Sequence, residues 1–433
     1  MDRKATILSI AMPPMVLAGF ILGYCIRSQQ ASAKKEIGDK VREASLLIQE
    51  RYYGETTDEK LERGAMEGLV AVLDPYSQYF TKRDYEDFRD KNMVGTFSGV
   101  GILVEVDRET GYLNIVTPIE DSPAFSADIL PGDKLIKVGG EDIKGQPLDE
   151  VVGKIKGDTG TEVKLTFWRK GRELFDITLK RAKITIVAVK SKMVDGRIGY
   201  VRISDFTEML PQFDKAIGAL KEKGMKALVV DLRFNGGGLL DSAFQLSDRF
   251  VPKGKLIVST RGRQAKDRRD LLAEDDAHDV PDMPVVILTN GGTASASEIF
   301  AGCLRDHGRA AIVGARTYGK GSVQTPFILS DGSSLKITTA RYFTPDGTSV
   351  HREEGKKDYG LDPDHLVEMT NEEYAQVREH WRRESILKGG PDAKPGPKDL
   401  QLDGAVEVLN AKLDNRPAKV EKRELSAVKQ EKQ

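Results

Sequence analysis

The chain has 433 residues, too many for one ordinary core, so several domains are expected. Lys and Arg number 66 against 67 Asp and Glu, and a net charge of −1 argues against nucleic acid as the main partner. The five histidines are scattered, with no HExxH and no paired ligand spacing, so no metal site is expected and no cofactor is called for. Of the two cysteines, Cys25 lies in the N-terminal apolar stretch, which leaves Cys303 without a partner for a structural disulfide.

Residues 5–26 are apolar and uncharged, long enough to span a bilayer as a helix kinked at Pro13 and Pro14. Arg3, Lys4 and Arg27 flank the run, and Ala31-Ser32-Ala33 reads as a cleavage site of the A-x-A kind. Residues 1–33 are therefore expected to form an export signal or membrane anchor. The favoured form is an uncleaved anchor with the bulk of the protein on the periplasmic side of the cell envelope. Residues 34–94 are helical in pattern. Ile37, Val41, Ser45, Ile48 and Tyr52 share one face, and Leu61, Ala65, Leu69 and Val72 form a second stripe. Helices this short need a partner surface, either a dimer contact or the next domain.

The pattern changes over 95–183. Short alternating runs, with the helical segment 148–155 before the last pair, indicate a small, partly open β-barrel. The loop SGVGI (98–102), the turn SPAFSADILPGDKL (122–135) and the helix resemble a PDZ domain. The resemblance implies that Gly99, Val100, Gly101 and Ile102 receive a peptide's C-terminal carboxylate. The peptide would then add as a strand to the sheet edge. Lys156 stands where many proteins with this arrangement carry arginine.

Strands and helices alternate over 184–366, which implies an α/β layered core, with the charged stretch 264–281 expected as an exposed loop. Residues 367–433 hold two further helices, a Gly/Pro linker at 389–397 and a charged end. Within the core, the run from Val285 to Thr325 carries the chemistry. An apolar strand leads through Asn290, Gly291 and Gly292 to Ser295 and Ser297, which open a helix. Either serine is a candidate nucleophile at a strand-to-helix turn. If Ser295 attacks, the Ala296 N–H is placed to stabilise an oxyanion, with a second donor from the loop Gly236–Gly238. Both loops follow strands of one parallel sheet, so they can meet at its C-terminal edge.

No histidine lies near these serines in sequence, but Lys320 sits between Gly319 and Gly321. Burial would lower its pKa and let it act as a neutral base. Gln324 is placed to hold the lysine or the serine. Gly314 to Lys320 also fits the phosphate-binding pattern G-x-x-x-x-G-K, but Gly321 replaces the magnesium-binding hydroxyl and a β-rich run follows.

Taken with LDPYSQYF (73–80), VVDLRFNGGGLL (229–240), NGGTASASEI (290–299) and GARTYGKGSVQT (314–325), the chain resembles the C-terminal processing peptidases. These are tail-specific proteases of the serine–lysine type. The resemblance covers nearly all of 36–366. It implies a multidomain α+β protein in which a PDZ barrel precedes a crotonase/ClpP-like layered protease core. It places the nucleophile on Ser295, the general base on Lys320, the supporting amide on Gln324, and oxyanion donors on Ala296 and Gly237. Gly236 stands where that family often has proline. The expected activity is cleavage of protein substrates held by their C-terminal tails, by a homodimer to which an adaptor protein can bind. Two other classes fit parts of the pattern: a catalytically inactive PDZ scaffold, and a crotonase-like acyl-CoA enzyme.

Overall fold

The computed structural model describes residues 37–425, apart from 93–95, 108–109, 120–121, 128, 131, 147, 170, 186, 208, 275–279, 281–282, 354 and 387–395. The apolar run 5–26, Cys25 and the site 31–33 lie outside the described residues; among the described residues no helix is long and apolar enough to cross a membrane. The chain divides into two compact units.

The first unit comprises the N-terminal residues through Thr81 together with Pro326–Ile337. A helix over 37–51 is followed by the helix Asp58–Ala71, whose N-cap Thr57 accepts a bond from the Lys60 N–H at 3.3 Å. The expected break at 73–77 is an Asp turn. The Asp74 carboxylate accepts from the N–H groups of Tyr76 and Ser77 and from the Ser77 hydroxyl. It delivers the short strand Gln78–Phe80 to Ser334–Lys336, antiparallel. Among the described residues both helical stripes stay largely uncovered, with Ser45, Leu61 and Ala65 partly buried. Ile37 is 60 % exposed and Val72 81 %, and only Val70 of the second helix is buried.

The second unit comprises Lys82–Thr325 and Thr338–Gln433. Its barrel runs in the order Ile102–Val106, Leu113–Pro118, Lys134–Val138, Glu162–Arg169 and Arg172–Lys180, with every neighbouring pair antiparallel. The strand Glu162–Arg169 buries Val163, Leu165 and Phe167 at period two, and the helix Leu148–Ile155 buries Val151 and Ile155 against them. Thr96–Gly99 and Ala182–Thr185 pair with each other where the chain enters and leaves the barrel.

A six-stranded sheet forms the other core. Its order is Val189–Met193, Ile198–Ile203, Ala227–Asp231, Val285–Thr289, Ala310–Gly314 and His365–Leu366. The first pair is antiparallel and the rest are parallel. Ala227–Asp231 and Val285–Thr289 are buried at every position, as central strands covered on both faces must be. Helices Leu210–Glu222, Leu240–Asp248 and Ala296–Asp306 cover one face through Phe213, Leu246 and Phe300. Helix Leu400–Leu413 covers the other through Ala405, Val408 and Leu409. The charged stretch is only partly loop. Arg269–Leu272 is a strand against Leu256–Thr260, with the three exposed-facing positions 269, 270 and 272 on the outside.

Candidate active site

The parallel strands deliver two loops to one edge of the sheet, and side-chain amides stitch them together. Asn290, just after Val285–Thr289, uses its side-chain oxygen to accept from the N–H of Phe234 at 2.9 Å and of Gly292 at 3.0 Å. The Thr293 hydroxyl donates to the Leu232 carbonyl at 2.8 Å. Ser295 then precedes the helix Ala296–Asp306 with φ 57° and ψ −119°, a backbone region that L residues avoid. Its N–H donates to Glu298 Oε2 at 2.8 Å, and its carbonyl accepts from the Tyr342 hydroxyl at 3.1 Å. These bonds fix the strained turn while the side chain remains partly accessible. Ser297 is different: it is fully buried, and its hydroxyl donates to the Asn235 carbonyl at 3.0 Å. It clamps the helix to the glycine loop.

The glycine loop approaches the serine turn so closely that no side chain fits. A Cβ on Gly237, at φ 103°, would lie 2.8 Å from the Ala294 carbonyl oxygen, 2.8 Å from Ser295 Cβ and 2.9 Å from the Ala296 nitrogen. The Gly237 N–H itself donates to the Asn235 side-chain oxygen at 2.9 Å. Among the described residues, the N–H groups of Ala296, Gly236 and Gly238 have no protein acceptor. Ala296 opens the helix after Ser295, at its positive end, where developing negative charge is favoured, and the glycine loop meets this turn at Gly237.

Lys320 arrives on the loop between Ala310–Gly314 and Ser322–Ile328. Its flanking glycines are clamped. A Cβ on Gly321 would lie 2.8 Å from the His351 nitrogen, and the Gly319 carbonyl accepts from the Arg352 N–H at 2.8 Å. Glu298, buried completely, joins this loop to the Ser295 turn. Its Oε1 accepts from the Thr317 hydroxyl at 2.5 Å and the Gly319 N–H at 2.8 Å. Its Oε2 accepts from the Lys320 N–H at 2.9 Å and the Ser295 N–H at 2.8 Å. The backbones of residues 295 and 320 therefore meet at a single oxygen atom.

Burial pushes the Lys320 ammonium below the ordinary lysine value, and the Glu298 charge pulls only partly back. Burial likewise raises the Glu298 carboxyl, against the four donors that favour its ionised form. Gln324 lies on the next strand, and its amide nitrogen donates to the Ser322 hydroxyl at 2.9 Å and the Thr338 hydroxyl at 3.2 Å.

In the barrel, Gly99 ends the entering strand and Val100 is buried. Gly101 has φ 78°, and a Cβ there would lie 2.2 Å from Ser122 Cβ. The carbonyls of Val100 and Gly101 accept from Ala124 and Ile119. Ile102 packs on the barrel core. Lys156, at the end of the barrel's helix, forms an ion pair with Asp87 at 2.8 Å. The sequence carries no signal for the coupling roles of Asn235, Asn290, Thr317 and Tyr342. Glu298 carried one signal: Ser295-x-x-Glu298 is a capping-box pattern.

A parallel α/β core that strains a serine at a helix N-terminus, beside unpaired amides and a half-buried lysine, defines a serine-type peptidase. The chain belongs to peptidase family S41, the carboxy-terminal processing proteases, and carries a PDZ domain. Peptidase family S41 matches residues 197–367, the PDZ domain matches 115–169, and the activating protease CtpB N-terminal domain matches 25–84. A carboxy-terminal-processing protease of Bartonella bacilliformis is 38% identical over 388 residues, 84% of this chain and 86% of that protein. The carboxy-terminal processing protease CtpA of Bacillus subtilis is 36% identical over 424 residues, 96% of this chain and 88% of that protein. Among solved structures, a putative S41 protease from Bacteroides fragilis is similar in fold. Its TM-score is 0.50 at 16% identity, over 85% of this chain and 96% of that one.

Proposed function

We propose that the protein is an endopeptidase that captures protein C-termini in its PDZ domain and cuts with a Ser295–Lys320 dyad. The observation that carries the dyad is the convergence of the Ser295 and Lys320 backbones on Glu298 Oε2. Neutral Lys320 takes the proton from the Ser295 hydroxyl as its oxygen attacks the scissile carbonyl carbon. The oxyanion forms beside the Ala296 N–H and the Gly236–Gly238 loop. Of the loop glycines, Gly236 and Gly238 have the amides without a protein acceptor, and Gly237 would donate only by releasing Asn235. The lysine ammonium then protonates the leaving amine, and water resolves the acyl-enzyme with the lysine again as base. Gln324 supports the base from the neighbouring strand.

Gly99, Val100, Gly101 and Ile102 take the substrate's terminal carboxylate and last side chain. The core is layered in the crotonase/ClpP manner. The uncovered stripes of the N-terminal helices fit a homodimer contact, and an adaptor protein is a further partner. Residues 5–26 anchor the chain in the inner membrane with the enzyme on the periplasmic side.

Full-length protein should cleave an unfolded substrate faster when its C-terminal residues are present. Ser295→Ala and Lys320→Ala should each abolish cleavage, and Ser295→Ala should also abolish labelling by a fluorophosphonate. Undiminished cleavage by either variant would refute the dyad.

A further inference from the structure

The glycine loop has no side chains with which to hold itself, yet its amides must stand in one place during acyl transfer. The Phe206 N–H holds the Gly237 carbonyl at 2.9 Å, and the loop's upstream end is tied to the C-terminal helices. Arg233 is fully buried. Its guanidinium pairs with Asp231 at 2.6 Å and with both oxygens of Asp399 at 2.8 Å, and donates to the Gln401 side-chain oxygen at 3.2 Å. Asp399 is also the N-cap of helix Leu400–Leu413, accepting from the Leu402 N–H at 3.1 Å. The Tyr200 hydroxyl donates to Asp231 at 2.8 Å, completing the anchor.

Phe234 follows at φ 62°, one of the few positive values outside glycine among the described residues. Such a conformation persists only where the surroundings impose it. Here they come from helix Asn371–Ile386. The Tyr374 ring meets Phe234 edge-on at 5.2 Å, Trp381 lies at 6.3 Å, and the Arg378 guanidinium stands over the ring at 5.2 Å. Trp381 also faces the Arg233 guanidinium at 5.2 Å. Of these partners, Asp399, Gln401, Tyr374, Arg378 and Trp381 lie beyond residue 367, where the peptidase match ends.

We propose that the helices Asn371–Ile386 and Leu400–Leu413, with the N-cap Asp399, are a working part of the catalytic centre, holding the loop 234–238 in its oxyanion-binding geometry through Arg233 and Phe234. Arg233 and Asp399 are positioning residues for acyl transfer. This rests on the reading of the glycine loop as part of the oxyanion site. A buried ion triad contributes little net stability when complete, and breaking it is costly. Its value here is one fixed arrangement at the loop's root. Truncation is a poor test, because Ala405, Val408 and Leu409 cover a face of the sheet. Asp399→Asn is a better one, since asparagine still caps the helix through its oxygen, while the charge and one of the two oxygens that accept from Arg233 are lost.

The experiment compares full-length wild type, Asp399→Asn, Arg233→Lys and Gly237→Ala. Each is read by kcat and KM on a tailed substrate, by the rate and end point of fluorophosphonate labelling of Ser295, and by affinity for a peptide boronate. The end point counts folded sites, and the labelling rate and boronate affinity report the oxyanion loop.

The expected result for Asp399→Asn and Arg233→Lys is a kcat per labelled site lower by roughly tenfold or more. Labelling rate and boronate affinity should fall in parallel, with KM within about twofold of wild type, since remote tail binding is untouched. If Gly237→Ala slows labelling while both anchor variants label and turn over at the wild-type rate per site, the proposal is overturned. It is also overturned if the anchor variants lose only end point, a purely structural effect. If Gly237→Ala itself labels normally, the loop has no oxyanion role and the proposal falls with that reading. Should Asp399→Asn fail to fold, Arg233→Lys and Phe234→Leu carry the same comparison.

Discussion

Replacing Ser295 by glycine and, separately, by alanine isolates the backbone strain at the nucleophile. Both changes remove the hydroxyl, so activity is lost in either case and stability is the readout. Alanine keeps a Cβ at φ 57° and ψ −119°, at a cost of about 1–3 kcal/mol. Glycine adopts that conformation freely but loosens the unfolded chain by roughly 0.5–1 kcal/mol. The difference leaves Ser295→Gly more stable than Ser295→Ala by roughly 0.5–2 kcal/mol. The Glu298 and Tyr342 bonds use only the backbone N–H and carbonyl of residue 295 and survive in both variants, so they cancel from the comparison. Urea unfolding of the two proteins measures it, as a higher midpoint for glycine at equal slope. A midpoint for alanine higher by the glycine penalty of roughly 0.5–1 kcal/mol would mean that the turn stores no strain and that the serine is presented by ordinary helix capping.

Four further outcomes are expected. The kcat/KM profile should rise as Lys320 loses its proton, with a midpoint below the ordinary lysine value because burial disfavours its charge. A folded pKa below the unfolded one means that the unfolded chain binds the extra proton between the two, so stability rises with pH across that window. Lys320→Met should therefore be more stable than wild type at neutral pH, by a margin that shrinks as pH nears the ordinary lysine range; urea melts across pH would show the reverse if the lysine were normally solvated. Glu298→Gln offers one acceptor oxygen where the carboxylate serves four donors, forfeiting two bonds of about 1.5–3 kcal/mol each. Its kcat should fall more than about tenfold, and wild-type turnover would show the clamp to be dispensable. Gly101→Ala drives a Cβ into Ser122, so binding of a C-terminal peptide should be lost while fluorophosphonate labelling of Ser295 is retained; calorimetry with the peptide checks it.

What the sequence made legible was local. Val285–Thr289 and Ala227–Asp231 are unbroken apolar runs, and a turn of small residues after each marks the C-terminal edge of a parallel sheet. Arg269–Leu272 was not legible, because an exposed strand carries charges and hides its period. The helical stripes at 37–52 and 61–72 were legible as helices, but the surface that covers them is not in this chain's own packing.

The site divides the same way. Ser295, Ala296 and Lys320 could be read from turn chemistry and glycine spacing. The groups that bring them together could not, since Glu298 works through donors at 317, 319 and 320 on another strand's loop. Arg233 lies 166 residues from its partner Asp399, and no periodicity reports a contact of that range. The residues that bear the chemistry sit where the backbone is unusual, which leaves a signature of glycines and small hydroxyls. The residues that hold that backbone are ordinary Asp, Arg, Glu and Asn, whose role exists only once the sheet has folded. The contacts that hold the Arg233–Gly238 segment therefore reach Gln401, well past residue 367, where the peptidase match ends.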